Sequence, residues 1–121
     1  MESRWKSVDE VLDAMQGGEF AGDAPPGVND IGVFGSRPLK VAVSWGDLTA
    51  IDLLIEAGAS IDEQNENGNT ALHHALVMSH FHVARRLVAL GADQTTRNNE
   101  GKLARDLCWS EEWPGIGLKA P

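Results

Sequence analysis

Gly35, Gly68 and Gly101 stand 33 residues apart, and the residues around them fall into step. Leu39 aligns with Leu72, Ala42 with Ala75, Leu54 with Leu87, Gly58-Ala59 with Gly91-Ala92, and Asn65 with Asn98. The fullest copy runs from Asn65 to Asn98. It opens with a glycine-bearing turn at Gly68 and a helix-capping Thr70. Leu72, Ala75 and Leu76 follow at helical spacing, then Val83, Leu87 and Val88, and the copy closes at Gly91-Ala92-Asp93. Two short antiparallel helices and a turn cannot bury their own apolar stripe. A chain with this period is therefore constrained to stack its units, each on its neighbours.

The unit length and the segment Thr70-Ala71-Leu72-His73-His74-Ala75 resemble the ankyrin-repeat family, whose mark is T-P-L-H-x-A in a 33-residue unit. An earlier copy, Arg37-Pro38-Leu39-Lys40-Val41-Ala42, keeps the proline and leucine but lacks the threonine and histidine. A later one, Leu103-Ala104-Arg105-Asp106-Leu107-Cys108, retains little. The resemblance covers Val28 to Cys108. It implies an all-α solenoid of helix-turn-helix units joined by β-turn fingers, with partial capping repeats at both ends. The whole chain, 1–121, is expected to be one ankyrin domain. Its parts are a capping helix and loop (1–27), repeat 1 (28–64), repeat 2 (65–97) and a degenerate cap (98–121).

Local signals sharpen this expectation. Ser7 and Glu10 stand three apart, as in a capping box, before an amphipathic helix over Val8–Met15 with Val8, Val11, Leu12 and Met15 on one face. Residues 19–27 are rich in Gly, Pro and Asp and form a loop longer than the family pattern. It is either a spacer or a flap that folds over the face carrying Trp45. Pro38 suits a first helical position. Helix one of repeat 1 is expected to reach about Trp45, and Leu48–Ala57 forms helix two, with Gly58 just past its end. Ser79-His80 stands where the family has Gly-His. The third copy is expected to hold one helix, about Leu103 to Trp109, with Trp109 covering the last interface and an irregular tail after Trp113-Pro114-Gly115.

Composition narrows the function. The single cysteine, Cys108, excludes an internal disulfide framework and fits a reducing compartment. The first fifteen residues carry no signal-peptide run, and no stretch could span a bilayer, so a cytoplasmic protein is expected. The net charge of −8 argues against nucleic acid and against anionic membranes. Residues 1–67 carry thirteen acids against Arg4, Lys6, Arg37 and Lys40, a net of −9, which suits either solubility or a basic partner.

No catalytic or metal constellation is expected, and no cofactor. His73 matches the motif histidine and His80 the turn histidine. His74 and His82 lie on different helices without a carboxylate or thiol at ligand spacing. Cys108 replaces the packing residues Ala42 and Ala75, and Gly32-Val33-Phe34-Gly35 lacks the length of a phosphate loop.

What the resemblance implies instead is a binding surface built like a hand. Its fingers are Val33, Phe34 and Ser36, then Gln64, Glu66, Asn67 and Asn69, then Arg97, Asn99, Glu100 and Lys102. Its palm is Ser44 and Trp45, Val77 and Met78, and Ser110 and Glu111, with Asp47 and Glu63 among the nearby acids. Phe34, Trp45, Val77 and Met78 are apolar without a core role in the pattern, which marks them as the centre of an interface. The expected function is non-catalytic binding of one protein through the concave face, by a chain that is monomeric when free. Small acidic ankyrin proteins of this kind look like bacterial immunity proteins, so the partner could be a basic toxin or effector. The alternatives are a scaffold acting through self-association and a histidine-based metalloenzyme.

Overall fold

The structure is a computed structural model and describes residues 5–15, 26–32 and 37–107. The chain divides into two compact units, Met1–Ser60 and Ile61–Pro121. Every regular element among the described residues is helical, and no strand occurs among them.

The first unit holds α1 (Val8–Met15), α2 (Pro38–Trp45) and α3 (Leu48–Glu56). Val11, Leu12 and Met15 of α1 are buried, and the helix packs on both α2 and α3. The Glu10 N–H donates to Ser7 Oγ at 3.4 Å, while the Glu10 carboxylate reaches back to the Lys6 N–H rather than to that of Ser7. The capping box is thus shifted by one residue. Pro38 opens α2, where its missing N–H costs nothing, and Leu39, Ala42 and Val43 are buried. At the other end Gly46 takes the left-handed conformation (φ 69°), and the Asp47 N–H closes onto the Ala42 carbonyl. Asp47 then caps α3, accepting from the Ala50 N–H at 3.1 Å. Ala50, Ile51 and Leu54 complete this core.

The second unit repeats the design with α4 (Ala71–Val77) and α5 (Phe81–Ala89). Leu72, Ala75, Leu76, Val83, Ala84 and Leu87 are fully or almost fully buried. At roughly 1.5–3 kcal/mol for each fully buried branched aliphatic side chain, this stripe is the main stabiliser of the unit. Ser79 occupies the register position of Gly46 and adopts φ 58°, the only non-glycine residue with positive φ among those described. The backbone closure of the turn demands that conformation. The His80 N–H must reach the Ala75 carbonyl (2.9 Å), as the Asp47 N–H reaches Ala42 in the first unit.

In the third copy the described part of the expected helix, Ala104–Leu107, is 3₁₀ and packs on α4. Asp106 gives the reason: its carboxylate accepts from the Leu103 N–H at 2.9 Å, and its own N–H returns to the Leu103 carbonyl at 2.9 Å. That reciprocal pair fixes a tight i to i+3 turn. Cys108, Trp109, Trp113-Pro114-Gly115 and most of the 19–27 loop lie outside the described residues.

Candidate recognition surface

The two fingers of the second unit are the same object twice. Asn65 Oδ1 accepts from the N–H groups of Asn67 and Asn69, both at 3.0 Å. Asn98 Oδ1 accepts from those of Glu100 (2.9 Å) and Lys102 (3.0 Å). The Asn65 N–H closes on the Asn69 carbonyl and the Asn98 N–H on that of Lys102, both at 2.9 Å. An amide oxygen holding the N–H groups two and four residues on is how asparagine builds a turn that would otherwise leave them unmatched.

Adjacent fingers are then stitched together. Asn99 donates its backbone N–H to the Asn67 carbonyl (2.9 Å) and its Nδ2 to the Glu66 carbonyl (2.7 Å). Asn98 Nδ2 donates to Asn69 Oδ1 at 2.9 Å, and Gln64 Nε2 is shared between the carbonyls of Gly68 (2.9 Å) and Arg97 (3.1 Å). Arg97 Nη1 donates to the Gly101 carbonyl at 2.8 Å. The side chains of Gln64, Asn69, Arg97 and Asn99, expected to be contacts for a partner, each take part in hydrogen bonds that hold the fingers. Glu66, Asn67, Glu100 and Lys102 remain exposed, the last two forming a surface ion pair at 3.5 Å. Glu63 is half-buried.

Two further stitches were not anticipated. Asn29 Oδ1 accepts from the Ser60 N–H at 3.1 Å in the first unit, and Asp62 Oδ1 accepts from the Asp93 N–H at 2.8 Å in the second. The signal was present, because Asn29 and Asp62 are 33 residues apart and both carry a short side-chain acceptor. Asp93 itself accepts from the Thr95 hydroxyl (2.6 Å) and N–H (2.7 Å), and these bonds hold its carboxyl below the usual carboxylate range.

The motif histidine is a structural part. His73 Nε2 lies 3.0 Å from the Lys102 carbonyl, which can only accept, so that nitrogen carries the proton. Nδ1 is then the acceptor for Thr70, with its hydroxyl at 2.8 Å and its N–H at 3.2 Å, while the Thr70 oxygen accepts from the His73 N–H. One side chain thereby caps a helix and anchors the next finger. In the first unit the same position is Lys40, 7 % exposed, and burial lowers its ammonium from the ordinary 10.5 to about 8. His80 and His82 lie ring to ring at 5.8 Å, and no group of three or more metal-ligating side chains occurs among the described residues.

The palm positions carry exposed apolar side chains in each unit. Trp45 is 38 % exposed in the first, and Val77 (58 %) and Met78 (40 %) in the second. Trp45 and Met78 are one repeat apart. Ser44 is exposed but turns its hydroxyl onto its own helix, donating to the Lys40 carbonyl at 3.1 Å. Val33, Phe34, Ser36, Ser110 and Glu111 lie outside the described residues.

A residue absent from the expected surface covers one face of Trp45. Trp5 stacks on it, with ring centroids 5.8 Å apart and planes 17° from parallel, and its Nε1–H donates to Asp47 Oδ2 at 2.6 Å. Asp47, one of the acids expected near the palm, serves both as the cap of α3 and as the acceptor for this indole.

Paired helices, asparagine-built fingers and a 33-residue register define an ankyrin-repeat fold, and residues 39–88 match the family model of ankyrin repeats. This stretch is an ankyrin-repeat segment. Among its relatives are the protein phosphatase 1 regulatory subunit 27 of mouse and of human. Each is 36 % identical over 95 residues, which is 78 % of this chain and 62 % of that protein. The rat ankyrin repeat and SAM domain-containing protein 6 is 34 % identical over 90 residues, 74 % of this chain and 10 % of that one. The chain thus spans less than two thirds of the length of these relatives. Among solved structures, the ankyrin repeat domain of Bcl-3, a member of the IkappaB family, superposes with a TM-score of 0.69 at 27 % identity. That match covers 75 % of this chain and 40 % of that one. No helix among the described residues is long and apolar enough to cross a membrane.

Proposed function

We infer that this chain is a non-catalytic recognition module that binds another protein through its finger tips and the exposed ends of its first helices. The observation that carries this reading is the recurrence of solvent-exposed apolar side chains at one register position. Trp45 stands there in the first unit and Met78, with Val77 beside it, in the second. Water-exposed Trp and Met at a repeated position stabilise nothing inside a repeat but are the residue types that anchor interfaces. The exposed acids Glu66 and Glu100 would steer a basic partner and set its arrival rate more than its final affinity. The relatives' name, regulatory subunit 27 of protein phosphatase 1, makes that phosphatase the first candidate to titrate. The narrower expectation of a toxin-neutralising protein rests on a resemblance to bacterial immunity proteins and on charge. The relatives reported above come from animals, and their names do not point to it.

The test compares immobilised wild-type chain with a Trp45→Ala/Met78→Ala variant of matched helicity. A specific partner should be retained by the first and lost by the second, with a loss of about 2 kcal/mol or more in affinity. Equal retention, or loss only on changing the exposed Glu56 and His82, would show that recognition uses other surfaces.

A further inference from the structure

We propose that Trp5 is a tethered occupant of the recognition surface, a removable strap filling the place of an aromatic side chain that a partner brings to Trp45 and Asp47. The regulatory meaning of the strap rests on the reading of Trp45 as an interface residue.

Three observations carry it. Trp5 precedes α1 and belongs to no helix, yet its ring stacks on that of Trp45, 17° from parallel with centroids 5.8 Å apart, and its N–H meets the Asp47 carboxylate at 2.6 Å. This is two-point recognition of an indole, with a stacking face and a charged acceptor placed for the ring N–H. The acceptor is fixed independently of Trp5, because Asp47 Oδ1 is held by the Ala50 N–H at 3.1 Å while Oδ2 takes the indole. The cap of α3 therefore orients the carboxylate whether or not the strap is closed. Finally, Trp45 remains 38 % exposed beneath the stack, and the equivalent Met78 is 40 % exposed. The register position is thus outward-facing in both units, and in the first the chain supplies a partial cover of its own.

The partner chemistry follows from what the site already accepts: a flat aromatic ring with an N–H donor, presented on an extended segment. Such a partner must displace Trp5, so its apparent affinity falls by the fraction of time that the strap is open. Removing the strap should tighten binding, whereas removing a true anchor loosens it.

The test needs no natural partner. N-acetyltryptophanamide is titrated into wild type and Trp5→Ala, following the Ala50 amide and the Trp45 indole N–H by NMR. Trp5→Ala should take the probe with shifts at both resonances, and wild type should bind it about tenfold more weakly. Trp5→Phe keeps the stack without the donor, and its affinity should fall between the two. It carries the test if Trp5→Ala fails to fold, and Trp5→Phe behaving as wild type would then overturn the proposal. So would equal binding by wild type and a folded Trp5→Ala, or no binding by either, since Trp5 would then be ordinary packing. Probe entry without capture of a partner through Trp45 would leave the strap standing and remove its role in recognition. Capture without any difference in probe binding would do the reverse.

Discussion

Gly68→Ala and Gly101→Ala place the same methyl group into the same backbone conformation in two copies of one finger, and they should differ sharply in cost. The two φ angles are 78° and 77°. An L-residue there is strained by roughly 1–2 kcal/mol, partly offset because alanine leaves the unfolded chain less entropy to lose, so each variant bears a common cost of about 1 kcal/mol. At Gly101 the new Cβ meets nothing within 4 Å. At Gly68 it would lie 2.6 Å from Asn99 Oδ1, 2.7 Å from the Asn99 backbone nitrogen and 3.0 Å from Asn98 Cα. The amide oxygen can swing aside, but the backbone nitrogen can retreat only if the third finger moves. That movement breaks the Asn99 N–H bond to Asn67 (2.9 Å) and the Asn99 Nδ2 bond to Glu66 (2.7 Å). At about 1 kcal/mol net for each, Gly68→Ala should cost about 3 kcal/mol in all. The excess of about 2 kcal/mol over Gly101→Ala corresponds to roughly 8 °C in melting temperature for a chain of this size. Urea unfolding followed by circular dichroism measures the difference. Hydrogen exchange at the Asn99 amide should show protection lost in Gly68→Ala and kept in Gly101→Ala. Equal destabilisation of the two would refute the claim that finger stitching contributes to stability.

Ser79→Gly should raise stability by roughly 0.5–1 kcal/mol, because it relieves a positive φ that Gly46 occupies freely; a lower urea midpoint would show that the turn is not left-handed in solution. Lys40 binds its proton less tightly in the folded chain (about 8) than in the unfolded chain (10.5), so the unfolded state holds the extra proton between those values. Its penalty is complete below about pH 8 and disappears as pH climbs to 10.5, so that stability rises across this window. Lys40→Met should flatten that rise and increase the melting temperature at pH 7; an unchanged pH profile would show that the ammonium is solvated. His73→Ala removes the Nδ1 acceptor for the Thr70 N–H and hydroxyl, together with the tie to Lys102, and should cost roughly 2–3 kcal/mol by denaturant titration, with a smaller loss arguing that water replaces the imidazole.

Much of the fold was legible because it is periodic and local. The spacing of Leu39, Ala42, Leu72 and Ala75 declared buried helical stripes. Pro38, Thr70 and Gly58 marked where helices begin and end, since fixed φ, a side-chain acceptor and freedom at positive φ act within a few residues of themselves. The site was less legible. Asn69 and Asn99, expected as contacts for a partner, also stitch adjacent fingers together, and only the approach of the next turn shows that second role. The burial of Lys40 likewise depends on what packs around it, not on its own propensity. Trp5 is the clearest case. It lies outside the repeat, so no period constrains it, and its partners are 40 and 42 residues away. The sequence by itself determined the stripes, caps and register, because each is set by neighbours along the chain. Tertiary structure alone decided which face Trp5 covers and which polar side chains remain for a partner, because those depend on distances between residues that no local rule connects.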